Sequence, residues 1–324
     1  MKTGHKFLGL LLALVLAAGE SAAQPYPSKP IRIVVGYAPG GGTDVNIRLI
    51  APKLSEQFGQ QVIIENKPGA AARIATEYVA TSAPDGYTLL AGASGEMIFN
   101  VGLFPSMPYD HEKAFTPITL FNYDPMVFAV NPSLPAHSVK ELIALGKAKP
   151  GQLFHASAAS AFQVAVELFN REAGIKIVHV PYKGAAPAVT AAISGEASMI
   201  VLSIPPLMAH LKTGKLRPLV ITGAKRSQFF PEVPTFLESG LDFESPVSWA
   251  GLFAPAGTPS AIIDRLYSAL FTILKDNTMK EHFISQGREP IGGVGMPPAE
   301  FEVFFKAELA KWTKAINDFN IRPK

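Results

Sequence analysis

The chain has 324 residues, a formal net charge of +3, no cysteine, 48% apolar residues and 17% charged ones. That apolar content excludes a disordered chain, and the missing cysteine excludes a disulfide scaffold or a thiol nucleophile. No basic run breaks the near-neutral balance, so no nucleic-acid partner is expected.

Met1–Ala23 reads as a secretory signal peptide. Lys2 and Lys6 start it, Phe7–Ala18 is a short apolar run, and Ser21-Ala22-Ala23 is a small-residue cleavage site, with the cut expected after Ala23. The run is too short for a comfortable membrane span. A periplasmic product follows, long enough for two modest domains.

Ile31–Tyr37 reads as a buried strand, followed by Pro39 and the glycines Gly40, Gly41 and Gly42. Thr43 and Asp44 are good N-cap residues, and Val45, Ile47, Leu49, Ile50 and Leu54 follow at helical spacing. Strand, glycine turn and helix N-terminus together suit an anion: the backbone can approach closely, and the first N–H groups lack partners. A plain tight turn is the alternative. A P-loop is excluded because no lysine follows Gly42, and the dinucleotide fingerprint fails because its last glycine would be Val45. A carboxylate therefore fits better than a pyrophosphate.

Strand and helix then alternate. Gln61–Asn66 reads as a strand, Ala70–Ala80 as a helix, and Thr88–Ala93 as a strand entering the loop Gly92–Gly95, which carries Ser94. A second unit begins near Tyr123 with the strand-like Pro125–Asn131, and Ser138 caps a helix over Val139–Lys149. Next come a strand at Gln152–Ser157, a small-residue loop Ala156–Ala161, a helix Phe162–Ala173 and a strand Ile175–Pro181. Ala185–Ser194 reads as helix, and Ala197–Ser203 and Leu216–Gly223 as strands. Ser248–Pro255 looks like a crossing back, and helices follow near Ser260–Leu274, Met279–Gln286 and Pro298–Phe319. Such repeats predict parallel sheets flanked by helices, with ligands at the carboxyl ends of the strands.

Several motifs carry a resemblance. Tyr26-Pro27-Ser28-Lys29-Pro30-Ile31-Arg32 leads into Pro39-Gly40-Gly41-Gly42-Thr43-Asp44; Glu65-Asn66-Lys67-Pro68-Gly69, Pro84-Asp85-Gly86-Tyr87-Thr88 and Val180-Pro181-Tyr182-Lys183-Gly184 come next. Gly214-Lys215-Leu216-Arg217, Pro231-Glu232-Val233-Pro234-Thr235 and Ala254-Pro255-Ala256-Gly257-Thr258-Pro259 complete the series. In this order they resemble the Bug family, the extracytoplasmic solute-binding proteins of tripartite tricarboxylate transporters. The resemblance implies an α/β, two-lobed periplasmic binding protein fold of type II-like kind. Residues 24–124 and 249–324 would form one lobe and 125–248 the other. It also implies a small-molecule carboxylate as ligand, membrane permease subunits as partners, a monomer, and neither a cofactor nor a metal.

In that family two loops pinch one carboxylate through backbone N–H groups and ordered water; here they match Pro39–Thr43 and Ala156–Ser160. The residues expected at the ligand are Tyr37, Ala38, Gly41, Gly42, Thr43, Arg73, Ser94, Ser157, Ala158, Ser160, Phe162, Tyr182, Ser203 and His210. Phe162 equally fits lobe core, Arg73 a solvated surface, and His210 an ordinary exposed histidine. The chain departs from the family pattern at Leu202, where an acid often stands, and at Ala71-Ala72-Arg73, which replaces Gly-Gly-Asn. Losing that acid disfavours an amino-acid ammonium. A flat apolar body is expected instead, as in benzoate or a phthalate isomer such as terephthalate, with an aliphatic C4–C6 dicarboxylate as the nearest alternative.

Enzymatic readings fare worse. Gly92-Ala93-Ser94-Gly95-Glu96 fails the nucleophile elbow at Glu96, and His111-Glu112 lacks the second histidine of a zinc helix. His155 and His179 form no ligand spacing. A secreted serine hydrolase is the alternative from another class, and a receptor that signals through a membrane partner is a further one.

Overall fold

The computed structural model describes residues 26–104, 106–242, 245–288 and 293–322. Met1–Ala23 lies outside the described residues.

Among the described residues, ten strands form two five-stranded sheets. The first contains β1 (Ile31–Val35), β2 (Val62–Asn66), β3 (Thr88–Ala93), β4 (Phe115–Asp124) and β10 (Ser248–Pro255), in the order β2-β1-β3-β10-β4. The second contains β5 (Met126–Val130), β6 (Leu153–Ser157), β7 (Ile177–Pro181), β8 (Met199–Ser203) and β9 (Arg217–Ile221), in the order β7-β6-β8-β5-β9. Both are mixed rather than wholly parallel. β10 runs antiparallel to β3 and β4, and β5 antiparallel to β8 and β9. In each sheet the reversed strand is the one that the chain enters from the other sheet, so the reversal follows from the crossing.

The crossings lie side by side. Only Pro125 separates β4 from β5, and the return pairs Ser248 with Asp124 and Trp249 with Tyr123. Arg288, almost fully buried, pins this point. Its guanidinium donates to Asp124 at 3.0 Å and Asn122 at 3.2 Å, and lies 3.5 Å from the Gly42 carbonyl.

The helices are α1 (Gly42–Phe58), α2 (Arg73–Ala80), α3 (Asn100–Leu103), α4 (Val139–Ala148), α5 (Ser160–Ala173), α6 (Ala185–Ser194), α7 (Ile204–Lys212), α8 (Ser260–Lys275), α9 (Asn277–Ser285) and α10 (Pro298–Asp318). α1 and α8 cover one face of the first sheet, with Ile47, Ile50, Leu54, Leu266 and Leu270 buried against Ile31, Ile33 and Leu252. α10 covers the other face with Phe301, Phe305 and Trp312. In the second sheet Phe128, Phe169 and Phe236 meet edge to face or tilted.

The structure corrects several further sequence expectations. α1 begins at Gly42, so Thr43 and Asp44 sit inside its first turn rather than capping it. The Asp44 carboxylate folds back to accept the Gly40 N–H, Arg48 and Asn66. Gly92–Gly95 is not a loop: Gly92 and Ala93 end β3, and after Ser94 a wide helical turn, Gly95–Phe99, runs into α3. β4 has no counterpart in the sequence reading; it carries Pro117, which it tolerates as the edge strand of its sheet. Pro205 and Pro206 do not merely close β8 but lie in the first turn of α7, where a missing N–H costs nothing.

Ala70–Ala80 is likewise not one helix. Ala70, Ala71 and Ala72 take φ of 48°, 55° and 70°, and the helix begins only at Arg73. Left-handed backbone costs a non-glycine residue about 1–2 kcal/mol. The turn is held by Asn100, whose amide donates to the Ala71 carbonyl at 2.7 Å, and by Ala72, which packs its methyl onto Gly36.

Two stability predictions follow from these contacts. Ala71 is exposed, so Ala71→Gly should relieve strain with little packing loss. After the larger unfolded-state entropy of glycine, the net gain is about 0.5–1 kcal/mol, read as a rise in melting temperature. Arg288→Met should remove the buried cation that faces Asp124 and cost about 3–5 kcal/mol in chemical denaturation.

Candidate functional site

A cavity of about 160 Å³ lies between the two sheets, beside the crossings. The first sheet contributes the β1–α1 loop Tyr37–Thr43, then Ala93, Ser94 and Gly95, and the crossing residues Asn122, Asp124 and Ser248. The second contributes Ala158, Ala159, Ala161, Phe162, Lys183–Pro187, Leu202, Ser203 and Pro206. The lobes approach closely: a Cβ placed on Gly42 would stand 3.8 Å from Ser203 Oγ, and Ser160 donates across the cleft to Asn100 Oδ1 at 2.6 Å.

The sequence dictates this meeting of helix starts. After β1, β6 and β8 the chain turns into α1, α5 and α7 within a few residues, and α6 follows β7 through Gly184 at φ 118°. First-turn residues of all four helices line the cavity. The first intrahelical bonds run from Val45 to Gly41 in α1 and from Phe162 and Gln163 to Ala159 in α5. The N–H groups of Gly42, Thr43, Asp44, Ser160 and Ala161 therefore have no helical partner. Each helix end carries the equivalent of about half a positive charge. The arrangement attracts an anion without a cation at its centre, and Asp124, the acid on the wall, is met by Arg288.

The wall also holds polar groups of defined state. Ser94 Oγ is buried with no hydrogen-bond partner among the described residues. Glu96 is fully buried below it. Its carboxylate accepts the Ala93 N–H at 2.7 Å and the Tyr37 hydroxyl at 2.5 Å. Burial pushes the Glu96 carboxyl up to about 7, against the lowering effect of those two hydrogen bonds. Burial, followed by the charge of Glu96, holds the Tyr37 phenol well above its ordinary range.

Of the residues expected from sequence, Tyr37, Ala38, Gly41, Gly42, Thr43, Ser94, Ala158, Phe162 and Ser203 line this cavity. Ser157, Ser160 and Tyr182 line a second cavity of about 620 Å³, which shares Tyr37, Ala38, Ala158, Ala159, Lys183 and Gly184 with the first. Ser157 Oγ is committed to the Ala159 carbonyl, Ser160 to Asn100, and the Tyr182 hydroxyl to Glu196 at 2.7 Å. Arg73 and His210 line neither cavity. Arg73 bonds the Ala70 carbonyl and lies 4.0 Å over the Phe104 ring, and His210 stands in the last turn of α7. Both structural roles of Phe162 hold together, since it is core and cavity wall at once.

Sequence reasoning missed Asn122, Asp124, Ser248, Glu96 and Arg288. Only Glu96 had a signal, a lone acid inside the apolar run Gly95–Phe99. His155 and His179 are neighbours on β6 and β7 but do not form a site: burial pushes His155 down to about 3, and only His179 reaches the second cavity. Among the described residues no group of three or more acids or histidines could hold a metal, and no helix is long and apolar enough to cross a membrane.

Comparison with known proteins places this geometry. Residues 46–321 match the model of the tripartite tricarboxylate transporter family receptor. Protein BugT of Bordetella pertussis is 33% identical over 320 residues, spanning 98% of this chain and 97% of its own. An R. palustris protein solved with adipate superposes with a TM-score of 0.86 at 33% identity, over 92% of this chain and 100% of that one. MatC from Rhodopseudomonas palustris, solved with bound malate, gives 0.84 at 29% identity, over 90% and 100%. The two-lobed α/β architecture is theirs as well, and the match is to binding receptors rather than to enzymes. This chain belongs to the TctC family, the receptors of tripartite tricarboxylate transporters.

Proposed function

We propose that this receptor captures an organic carboxylate in the periplasm, as a monomer, and delivers it to the membrane permease subunits of its transporter. The observation that carries the proposal is the meeting of four helix N-termini from both sheets around one small, largely apolar cavity. The relatives solved with adipate and malate support the ligand class. Cleavage after Ala23 belongs to the same reading. So do lobes of residues 24–124 with 249–324 and of 125–248, a division that the membership of the two sheets supports.

One carboxylate would sit between Gly40–Thr43 and Ala158–Ser160, partly through water, which bridges such contacts at little cost. The body would lie on Phe162, Leu202 and Pro206. About 160 Å³ is close to the roughly 150 Å³ that admits a benzene ring. A second carboxylate would point towards Lys183, the cation shared by both cavities. It takes the place of Arg73 and His210, which do not reach the cavity. This favours an aromatic acid of the benzoate or phthalate-isomer type, terephthalate among them. The adipate and malate relatives favour a second reading, an aliphatic C4–C6 dicarboxylate. Citrate would need more cations than the walls offer, and glutamate would bury an ammonium beside an acid already paired with Arg288.

Calorimetry and thermal shift on ligand-stripped protein decide between them. Terephthalate or benzoate should raise the melting temperature and titrate to saturation, since selective binding to the native state adds stability by mass action. Heat from adipate or malate alone would select the aliphatic reading. Heat from citrate or glutamate alone would overturn both, and no binding by any acid would overturn the carboxylate proposal.

A Cβ at Gly41 would meet only the Ala38 carbonyl, at 3.6 Å, and Gly41 has φ −73°, so a side chain there is compatible with the fold. Gly41→Val should fold normally yet fill the anion's place. Affinity for the best acid should fall by at least about a hundredfold, roughly 2.7 kcal/mol. Thr43→Ala, which leaves the backbone donors intact, should cost less than about tenfold, roughly 1.4 kcal/mol. Wild-type affinity in Gly41→Val would remove this loop from the site.

A further inference from the structure

We infer that Glu96 is a positioning residue for the ligand: its proton turns the Tyr37 hydroxyl into a donor facing the cavity, so that capture of the anion is coupled to uptake of a proton. The inference rests on the carboxylate reading above.

The argument begins with one hydrogen atom. The Tyr37 hydroxyl has a single proton and lies 2.5 Å from Glu96 Oε2, and the other carboxylate oxygen is filled by the Ala93 N–H. When Glu96 is ionised it needs the phenol proton, because a buried carboxylate without donors is costly. The lone pairs of Tyr37 are then its free hydrogen-bonding capacity, and a ligand carboxylate meets an acceptor. When Glu96 is protonated its own O–H donates to Tyr37 Oη, and the phenol proton is free to turn towards the ligand. The hydroxyl stands at the cavity wall: a Cβ built on Gly95 would come within 2.5 Å of it, and Tyr37, Ala93, Ser94 and Gly95 all line the cavity. Direct repulsion acts in the same direction, since two negative charges in a dry cleft oppose each other far more strongly than in water.

Few other titrating groups surround Glu96. Tyr37 faces it from the β1–α1 loop, and Tyr109, which feels its charge, stands before β4. His111 bonds the Met97 carbonyl and is pushed down to about 4 by burial, so it is neutral across the relevant range. Arg73 and Glu77 of α2 act on Tyr109 with opposite sign. α5 begins with Ser160 and Gln163, neither of which titrates, and α10 buries Phe301, Phe305, Trp312 and Ile316 on its inner face. Among the described residues no lysine or arginine pairs with Glu96, which leaves protonation as its route to neutrality.

The sign follows from linkage. An anion in the cleft raises the proton affinity of Glu96, so affinity is highest where Glu96 is already neutral and falls as pH rises through neutrality. Calorimetry with terephthalate, and with adipate in parallel, from about pH 6 to about pH 8.5 tests this, because both ligands stay essentially ionised there. Wild type should lose about tenfold in affinity or more, and buffers of different ionisation enthalpy should report uptake approaching about one proton per ligand at the alkaline end. Glu96→Gln keeps a donor to Tyr37 and an acceptor for Ala93. It should bind at alkaline pH about as tightly as wild type does at acidic pH, with a flat profile. Tyr37→Phe, the second variant, should be weaker at acidic pH and lose much of the slope.

Difference infrared spectroscopy on the ligand-free protein reads the same group without a ligand. A buried protonated carboxyl signal should titrate near neutrality and vanish in Glu96→Gln. Its absence from wild type, binding without proton uptake, or an unchanged slope in Glu96→Gln would each overturn the inference. No heat from any acid would instead refute the carboxylate reading, while the infrared signal could still stand.

Discussion

The structure depends on gathering helix starts from both sheets around one small cleft, where backbone donors rather than a side-chain cation would meet a carboxylate. Four helices are aimed at one cavity so that their unpartnered N–H groups substitute for water around an anion. The rest of the fold arranges this. The three parallel strands of each sheet end on the same side, so the helices that follow them begin there. The sheets face each other across the crossings, and each contributes donors the other lacks. Prolines thin the set: Pro187, Pro205 and Pro206 lie in first turns where an N–H would otherwise point inward. The donor set is therefore concentrated on α1 and α5, the two loops that sequence motifs singled out.

The charges the protein does bury are balanced locally. Asp44 takes the Gly40 N–H, Arg48 and Asn66, which fixes the entry to α1. Asp124 takes Arg288 at the crossing. Among the buried acids of the described residues, Glu96 has hydrogen-bond donors but no cation. The ion pair Asp124–Arg288 is neutral, while Glu96 behind Tyr37 has no cation, so the surroundings of the cavity are electrostatically uneven.

Local chemistry was legible in the sequence and long-range placement was not. β3 and α6 fall on the residues that their periodicity and flanking turns predict, and β10 on the segment read as a crossing back, because each is bounded by clear breakers. The strand-to-helix turns around Gly40–Thr43 and Ala156–Ala161 were legible for the same reason: glycine and small residues between a strand and a helix mark close backbone approach. β4 was not, since an interior proline contradicts strand propensity and only its edge position reconciles the two. Asn122, Asp124 and Ser248 reach the site through antiparallel pairing of β4 with β10, a contact between residues more than a hundred positions apart that no window reveals. Arg288 is more distant still. Arg73 and His210 line neither cavity, since a motif gives position along the chain but not the direction of a side chain. Alanines in left-handed backbone were illegible by construction, as the residue type argues for the helix that the strain denies.

Ser160 donates to Asn100 across the cleft. The bond joins the two lobes through protein atoms, so it stabilises their close approach relative to any arrangement in which they stand further apart. A solute that enters between the lobes by parting them has this bond to break first. The same bond shuts the door that the solute must use. Tightness and speed of capture then pull against each other, and a single hydroxyl on the first residue of α5 helps set where the receptor sits between them.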